Sequence, residues 1–77
     1  MSIFIQPGVE GQIKTTNLPS GDMAVNGPSS GPLEQLMFEV CRWSGHRNPA
    51  YGGWIIPRNA AQRVLSALDQ HCTKIAN

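Results

Sequence analysis

Arginine and aromatic residues are concentrated in one short stretch of this 77-residue sequence. Three of its six lysine and arginine residues, and three of its five aromatic residues, lie between positions 42 and 58. A guanidinium group binds phosphate through paired hydrogen bonds, and an aromatic ring stacks on a nucleic-acid base. We therefore predict a nucleic-acid-binding surface of six residues: Arg42, Trp43, Arg47, Tyr51, Trp54 and Arg58.

The two tryptophans of this predicted surface also have a structural interpretation. Trp54 is followed by Ile55 and Ile56, a pattern typical of a core strand, so its indole either fills the core or remains open to a base. Trp43 either closes the end of a helix or stacks on a base. The sequence leaves both alternatives open.

The cysteine and histidine residues raise the question of a metal site. Cys41, His46, His71 and Cys72 are residue types that bind zinc. However, His71 and Cys72 are neighbours on a predicted helix and project about 100° apart, so one ion cannot easily take both. We expect no metal site and two reduced cysteines in the core, with a disulfide between the helices as the remaining alternative.

The sequence gives little support for catalysis. Cys41 lies on an apolar helix stripe, and burial there would raise the pKa of its thiol and suppress the nucleophilic thiolate. Glu34 and Glu39 are five positions apart on a helix and do not converge as an acid–base pair. No glycine-rich phosphate loop is present. We expect a non-enzymatic protein without a cofactor.

Composition excludes several classes of protein. The charged fraction is only 14% and the formal net charge is +1, which argues against a strongly basic nucleic-acid coat or a polybasic membrane binder. A hydrophobic fraction of 40% argues against full disorder. Apolar runs are far too short to span a bilayer, and residues 1–5 do not resemble a secretion signal. With only two cysteines, we expect a cytoplasmic protein without a membrane partner.

The two parts of the chain differ in their content of glycine and proline. These residues make up 9 of the first 32 positions, whereas the rest of the chain has few. We predict an N-terminal extended segment with short strands over residues 1–16, a flexible linker over residues 17–31, and an ordered core over residues 32–77.

The predicted core consists of two helices around a hairpin. Pro32 begins the first helix, which has an apolar stripe and for which Gly45 is a natural left-handed stop. Asn59 caps the second helix, whose apolar face continues to Ile75. Residues 54–56 form a strand of the intervening β-hairpin. The predicted fold class is α+β: two helices flanking a short β-hairpin, with an N-terminal extended or β segment and an irregular linker.

Part of this core resembles a known DNA-binding module. The segments RWSGHRNP (42–49), GWIIP (53–57) and VLSAL (64–68) are similar to the HARP repeat of annealing helicases, which binds branched DNA. The resemblance covers residues 42–68 and departs from the family at Gly53, where a lysine or arginine usually precedes the tryptophan. It implies DNA contacts through Arg47, Trp54 and Arg58.

Two kinds of function remain after these exclusions. We predict a small nucleic-acid-binding module for single-stranded or branched DNA. The alternative is a phage- or plasmid-type adaptor or inhibitor that binds a host protein, because tryptophan, tyrosine and arginine dominate protein-binding hot spots. The low net charge favours this alternative slightly. A homo-oligomer is a related expectation, since an exposed apolar helix face on a short chain invites self-association.

Overall fold

The computed structural model describes residues 2–48, 50 and 53–76, which form a strand-rich α+β fold. In chain order the elements are β1 (Ser2–Ile5), β2 (Ile13–Asn17), β3 (Met23–Asn26), α1 (Pro32–Cys41), β4 (His46–Asn48), β5 (Gly53–Ile56), α2 (Arg58–His71) and β6 (Thr73–Ala76). The strands form a single antiparallel sheet in the order β4-β5-β3-β2-β1-β6.

The prediction of two helices flanking a short hairpin, joined by an irregular linker to an extended segment, is therefore wrong. β3 lies inside the predicted linker and pairs with β2 on one side and β5 on the other, so it joins the N-terminal strands to the rest of the sheet. Its residues Met23, Ala24 and Val25 are all buried. A central strand buried on both faces lacks the polar–apolar alternation that reveals a strand, and four residues between glycine-containing turns resemble a loop.

One face of the sheet carries the hydrophobic core. The register places Phe4 opposite Ile13 and Val25 opposite Trp54, so these side chains share a face. Each helix packs on that face through one row of residues spaced four apart, which is one stripe of a helix surface. These rows are Leu33, Met37 and Cys41 in α1, and Ala60, Val64 and Leu68 in α2. Within the described part of the chain, neither helix is long and apolar enough to cross a membrane.

The opposite face of the sheet has a different composition. Ala24 and Ile55 are paired across β3 and β5 and are buried, yet neither belongs to the core cluster. Lys14 and Thr16 alternate on β2 with the buried Ile13 and Thr15. This mixture of small, apolar and polar side chains is typical of the face of an antiparallel sheet that does not carry the main core.

The N-terminus of α2 is capped from a distant part of the chain. The sequence predicts Asn59 as the cap, but the helix begins at Arg58 and has no side-chain cap of its own. Instead, the backbone N–H of Arg58 donates to Oδ1 of Asp22, in the turn before β3, at 3.3 Å. A carboxylate at this end satisfies a free N–H group and interacts favourably with the helix dipole.

The C-terminal part of the chain also departs from its predicted helix. α2 ends at His71, and residues 73–76 form the edge strand β6 against β1. The β-branched residues Thr73 and Ile75 favour this extended conformation. The register shifts between Ile3 and Phe4, and the resulting bulge, together with Lys74, protects the edge from further strand pairing.

We expect Asp22→Ala to lower the free energy of unfolding by about 1 kcal/mol, because the substitution removes the cap of α2. Urea denaturation monitored by circular dichroism measures this change. Asn59→Ala is the matched control and should change stability by less than about 0.5 kcal/mol. A larger loss for Asn59→Ala than for Asp22→Ala would contradict the assignment of the cap.

Candidate functional site

The C-terminal end of α1 brings one arginine against two aromatic rings. Arg42 follows the last residue of the helix, and its guanidinium carbon lies 5.0 Å from the centre of the Phe38 ring. The same carbon lies 4.6 Å from the centre of the Trp43 ring. Both distances are within the range of cation–π attraction, so the two rings hold this guanidinium in place.

A second arginine is held by the indole of β5. Arg47 on β4 lies directly opposite Trp54 in the register. Its guanidinium carbon is 5.7 Å from the centre of the Trp54 ring. Phe38 meets the same indole edge to face, with ring centres 5.9 Å apart. The result is a continuous set of contacts, which we call the arginine–aromatic cluster: Phe38, Arg42, Trp43, Arg47 and Trp54.

The rings of the cluster differ in their exposure to solvent. Trp54 is 7% exposed and belongs to the hydrophobic core, so its stacking face is not open to a base. Trp43 is 81% exposed and Phe38 is 42% exposed. Trp43 therefore does not close the end of α1, and it is the ring most accessible to a ligand.

A third arginine reaches the cluster from α2. Nη2 of Arg63 donates a hydrogen bond to Oγ of Ser44, next to Trp43, at 3.1 Å. The predicted surface does not include Arg63, because its position depends on how α2 packs beside the turn that follows α1. Phe38 is also absent from the predicted surface, although the spacing of Phe38 and Arg42, four residues apart on a helix, is a signal for such a contact.

Two of the predicted site residues are not brought into the cluster. The guanidinium of Arg58 lies against Gly21, in the turn between β2 and β3. It forms no cation–π contact with the aromatic rings that the structure describes. Tyr51 lies outside the described residues. Of the three positions implied by the resemblance, Arg47 and Trp54 thus lie together and Arg58 lies apart.

The turn between α1 and β4 is held directly against β5. The backbone N–H groups of Ser44 and Gly45 both donate to the carbonyl oxygen of Cys41, which ends the helix. Gly45 does not have the predicted left-handed conformation. It is required for close approach instead, because a Cβ atom there would overlap the carbonyl oxygen of Ile55. This contact sets the position of Arg42 and Trp43 beside the sheet.

The positive charges of the cluster and of the adjacent Arg63 have no counter-charge among the described residues. No ion pair joins Arg42, Arg47 or Arg63 to a carboxylate in that part of the chain. The aromatic rings orient two of these guanidinium groups without neutralising them. Their N–H groups therefore remain available to an anionic ligand such as phosphate.

Neither cysteine side chain takes part in the ring contacts of the arginine–aromatic cluster. Cys41 is fully buried, and burial raises the pKa of its thiol to about 12. Cys72 is partly buried, which also raises its pKa. Both thiols are free, and the described residues contain no group of three or more side chains able to hold a metal ion. Nucleophilic chemistry through Cys41 would need a thiolate that the core strongly disfavours.

Comparison with known proteins gives no relative of this chain. No family model matches the sequence, no curated protein matches it, and no solved structure matches its fold. Functional inference therefore depends on the geometry of the chain itself.

We expect the two thiols to differ sharply in reactivity. At pH 8 a thiol with a pKa of about 12 is only about one part in ten thousand ionised, so Cys41 should resist iodoacetamide until the protein unfolds. Cys72→Ser should give a protein that is labelled only in denaturant, whereas Cys41→Ser should retain native labelling. Mass spectrometry measures both. Rapid labelling of native Cys72→Ser would show that Cys41 is accessible.

Proposed function

We propose that this chain binds single-stranded nucleic acid through the arginine–aromatic cluster. The observation that carries the proposal is the contact between Arg42 and an indole, that of Trp43, which is 81% exposed. A base can stack on the open indole while the adjacent guanidinium binds a phosphate of the same strand. In this proposal Arg47, which contacts Trp54, and Arg63, which contacts Ser44, bind neighbouring phosphates.

The open indole favours unpaired bases over duplex DNA. Bases in a duplex are stacked on each other, so a protein ring can stack on them only where the strand is single or frayed. The resemblance to the HARP repeat adds an expectation of branched DNA, whose forks can carry single-stranded arms. In this proposal Trp54 supports Phe38 and Arg47 from the core rather than contacting a base.

We expect Trp43→Ala to weaken binding of a short oligothymidylate by about 1–3 kcal/mol, the usual contribution of one stacked base. Arg42→Lys should also weaken binding, because lysine keeps the charge but loses the planar, bidentate group. Fluorescence anisotropy at low salt measures both effects on single-stranded, forked and duplex DNA.

Matched controls for these variants lie outside the cluster. Lys14→Ala and Arg58→Ala remove one positive charge each, from β2 and from the start of α2. Both variants should bind the oligonucleotide nearly as well as the unsubstituted protein does. Equal losses for Arg58→Ala and Arg42→Lys would favour the positions implied by the resemblance. Unchanged binding by Trp43→Ala, or the absence of any binding at tens of micromolar protein, would refute the proposal.

Salt dependence should report the number of phosphates bound. Each phosphate neutralised on a single strand contributes about −0.7 to the slope of log affinity against log salt concentration, so three arginines predict a slope of about −2. Arg47→Ala should reduce the magnitude of the slope by about one phosphate, whereas Lys14→Ala should leave it unchanged. Titrations at several salt concentrations measure these slopes, and a slope near zero would contradict phosphate recognition.

A protein partner is the second candidate function, and the position of β4 favours it. β4 is an edge strand of the sheet, and the exposed rings of Trp43 and Phe38 lie near it. An extended peptide could pair with the free edge while its side chains pack on these rings. In an NMR titration such a peptide would perturb the backbone amides of β4 with little dependence on salt, whereas nucleic acid would perturb the Trp43 indole in a salt-dependent manner.

A further inference from the structure

A cleft lies between α2 and the edge strand β6. The arginine–aromatic cluster lies near β4, at the other edge of the sheet. The cleft has a volume of about 240 Å³, and it is lined by Phe4, Gln62, Leu65, Ser66, Asp69 and Lys74. Phe4 is buried beneath the floor of the cleft, so the half-buried Leu65 supplies most of its accessible apolar surface. The cleft shares no residue with the arginine–aromatic cluster.

The polar groups of the cleft come from two elements. Gln62, Ser66 and Asp69 are spaced at four and three residues along α2, so they share one side of the helix. Lys74 comes from β6, where it lies opposite Phe4 in the register. None of these four side chains forms a hydrogen bond or ion pair with another residue that the structure describes.

The charges of the cleft, which have no partner among the described residues, are complementary to a small zwitterion. Asp69 supplies a carboxylate for an ammonium group, and Lys74 supplies an ammonium for a carboxylate. The half-buried Leu65 adds an apolar surface to the same cleft. A volume of about 240 Å³ equals that of about eight water molecules, which suits a molecule as small as one amino acid.

We propose that this cleft binds a free α-amino acid with an apolar side chain. The ammonium group pairs with Asp69, the carboxylate pairs with Lys74, and the side chain packs on the half-buried Leu65, beneath which Phe4 forms the floor of the cleft. Gln62 and Ser66 supply further hydrogen bonds. The proposal is independent of nucleic-acid binding, because the two sites use different residues near opposite edges of the sheet.

Titration of the ¹⁵N-labelled protein with leucine, followed by NMR, tests this site. Leucine should shift the amide signals of residues 62–69 and 73–75 in a saturable manner. N-acetylleucine lacks the ammonium group, leucinamide lacks the carboxylate, and glycine lacks the side chain. Each should bind at least about tenfold more weakly, since each loses one of the three interactions. The indole signal of Trp43 should not move.

Charge-neutralising variants complete the test. Asp69→Asn and Lys74→Gln should each weaken leucine binding by about tenfold or more while leaving the remaining spectrum unchanged. Glu39→Gln and Lys14→Gln neutralise exposed charges elsewhere and should bind leucine as the natural sequence does. Absence of saturable shifts at tens of millimolar leucine, or equal affinity for leucine and its two neutralised analogues, would overturn the proposal. Neither result would affect nucleic-acid binding at the arginine–aromatic cluster.

Discussion

The pairing of β3 with β5 is the constraint on which the rest of the fold depends. It joins the three N-terminal strands to the β4–β5 hairpin, and it places Val25 opposite Trp54 and Met23 opposite Ile56 on the face that both helices cover. A slip of one residue would turn these side chains to the opposite face of the sheet, away from the helices. Gly53 helps to define the register, because a Cβ atom there would overlap the carbonyl oxygen of Val25.

The arginine–aromatic cluster is connected to this buried strand pairing through Trp54. Trp54 belongs to the core, and it contacts both Phe38 on α1 and Arg47 on β4. Phe38 in turn contacts Arg42, which contacts the exposed Trp43. The cluster is therefore positioned by packing against the core residue Trp54 rather than by hydrogen bonds among its own members. Core substitutions at Trp54 would disturb the site without any direct contact with a ligand.

The spacing of apolar residues along the sequence predicts helices and strands that have one buried side, and it fails for the other elements. The start of α1 at Pro32 is predicted correctly, because proline suits the first turn of a helix and an apolar stripe follows. β3 has no alternation to detect, and Ile75 fits a helical stripe as well as it fits an edge strand. The cap from Asp22 and the contact of Arg63 with Ser44 join distant positions, so no local pattern could reveal them.

The exposure of Trp43 is difficult to explain by stability alone. Its contact with Arg42 at an exposed position contributes about 0.5–1 kcal/mol, and most of its ring surface remains in water. In the proposed complex, a base stacked on the same ring would contribute about 1–3 kcal/mol, which is more than the contact with Arg42 contributes. Because Arg42 is already held by Phe38, binding would require little additional ordering of its side chain. A prearranged guanidinium beside an open indole is thus better suited to recognition of a ligand than to stabilisation of the fold.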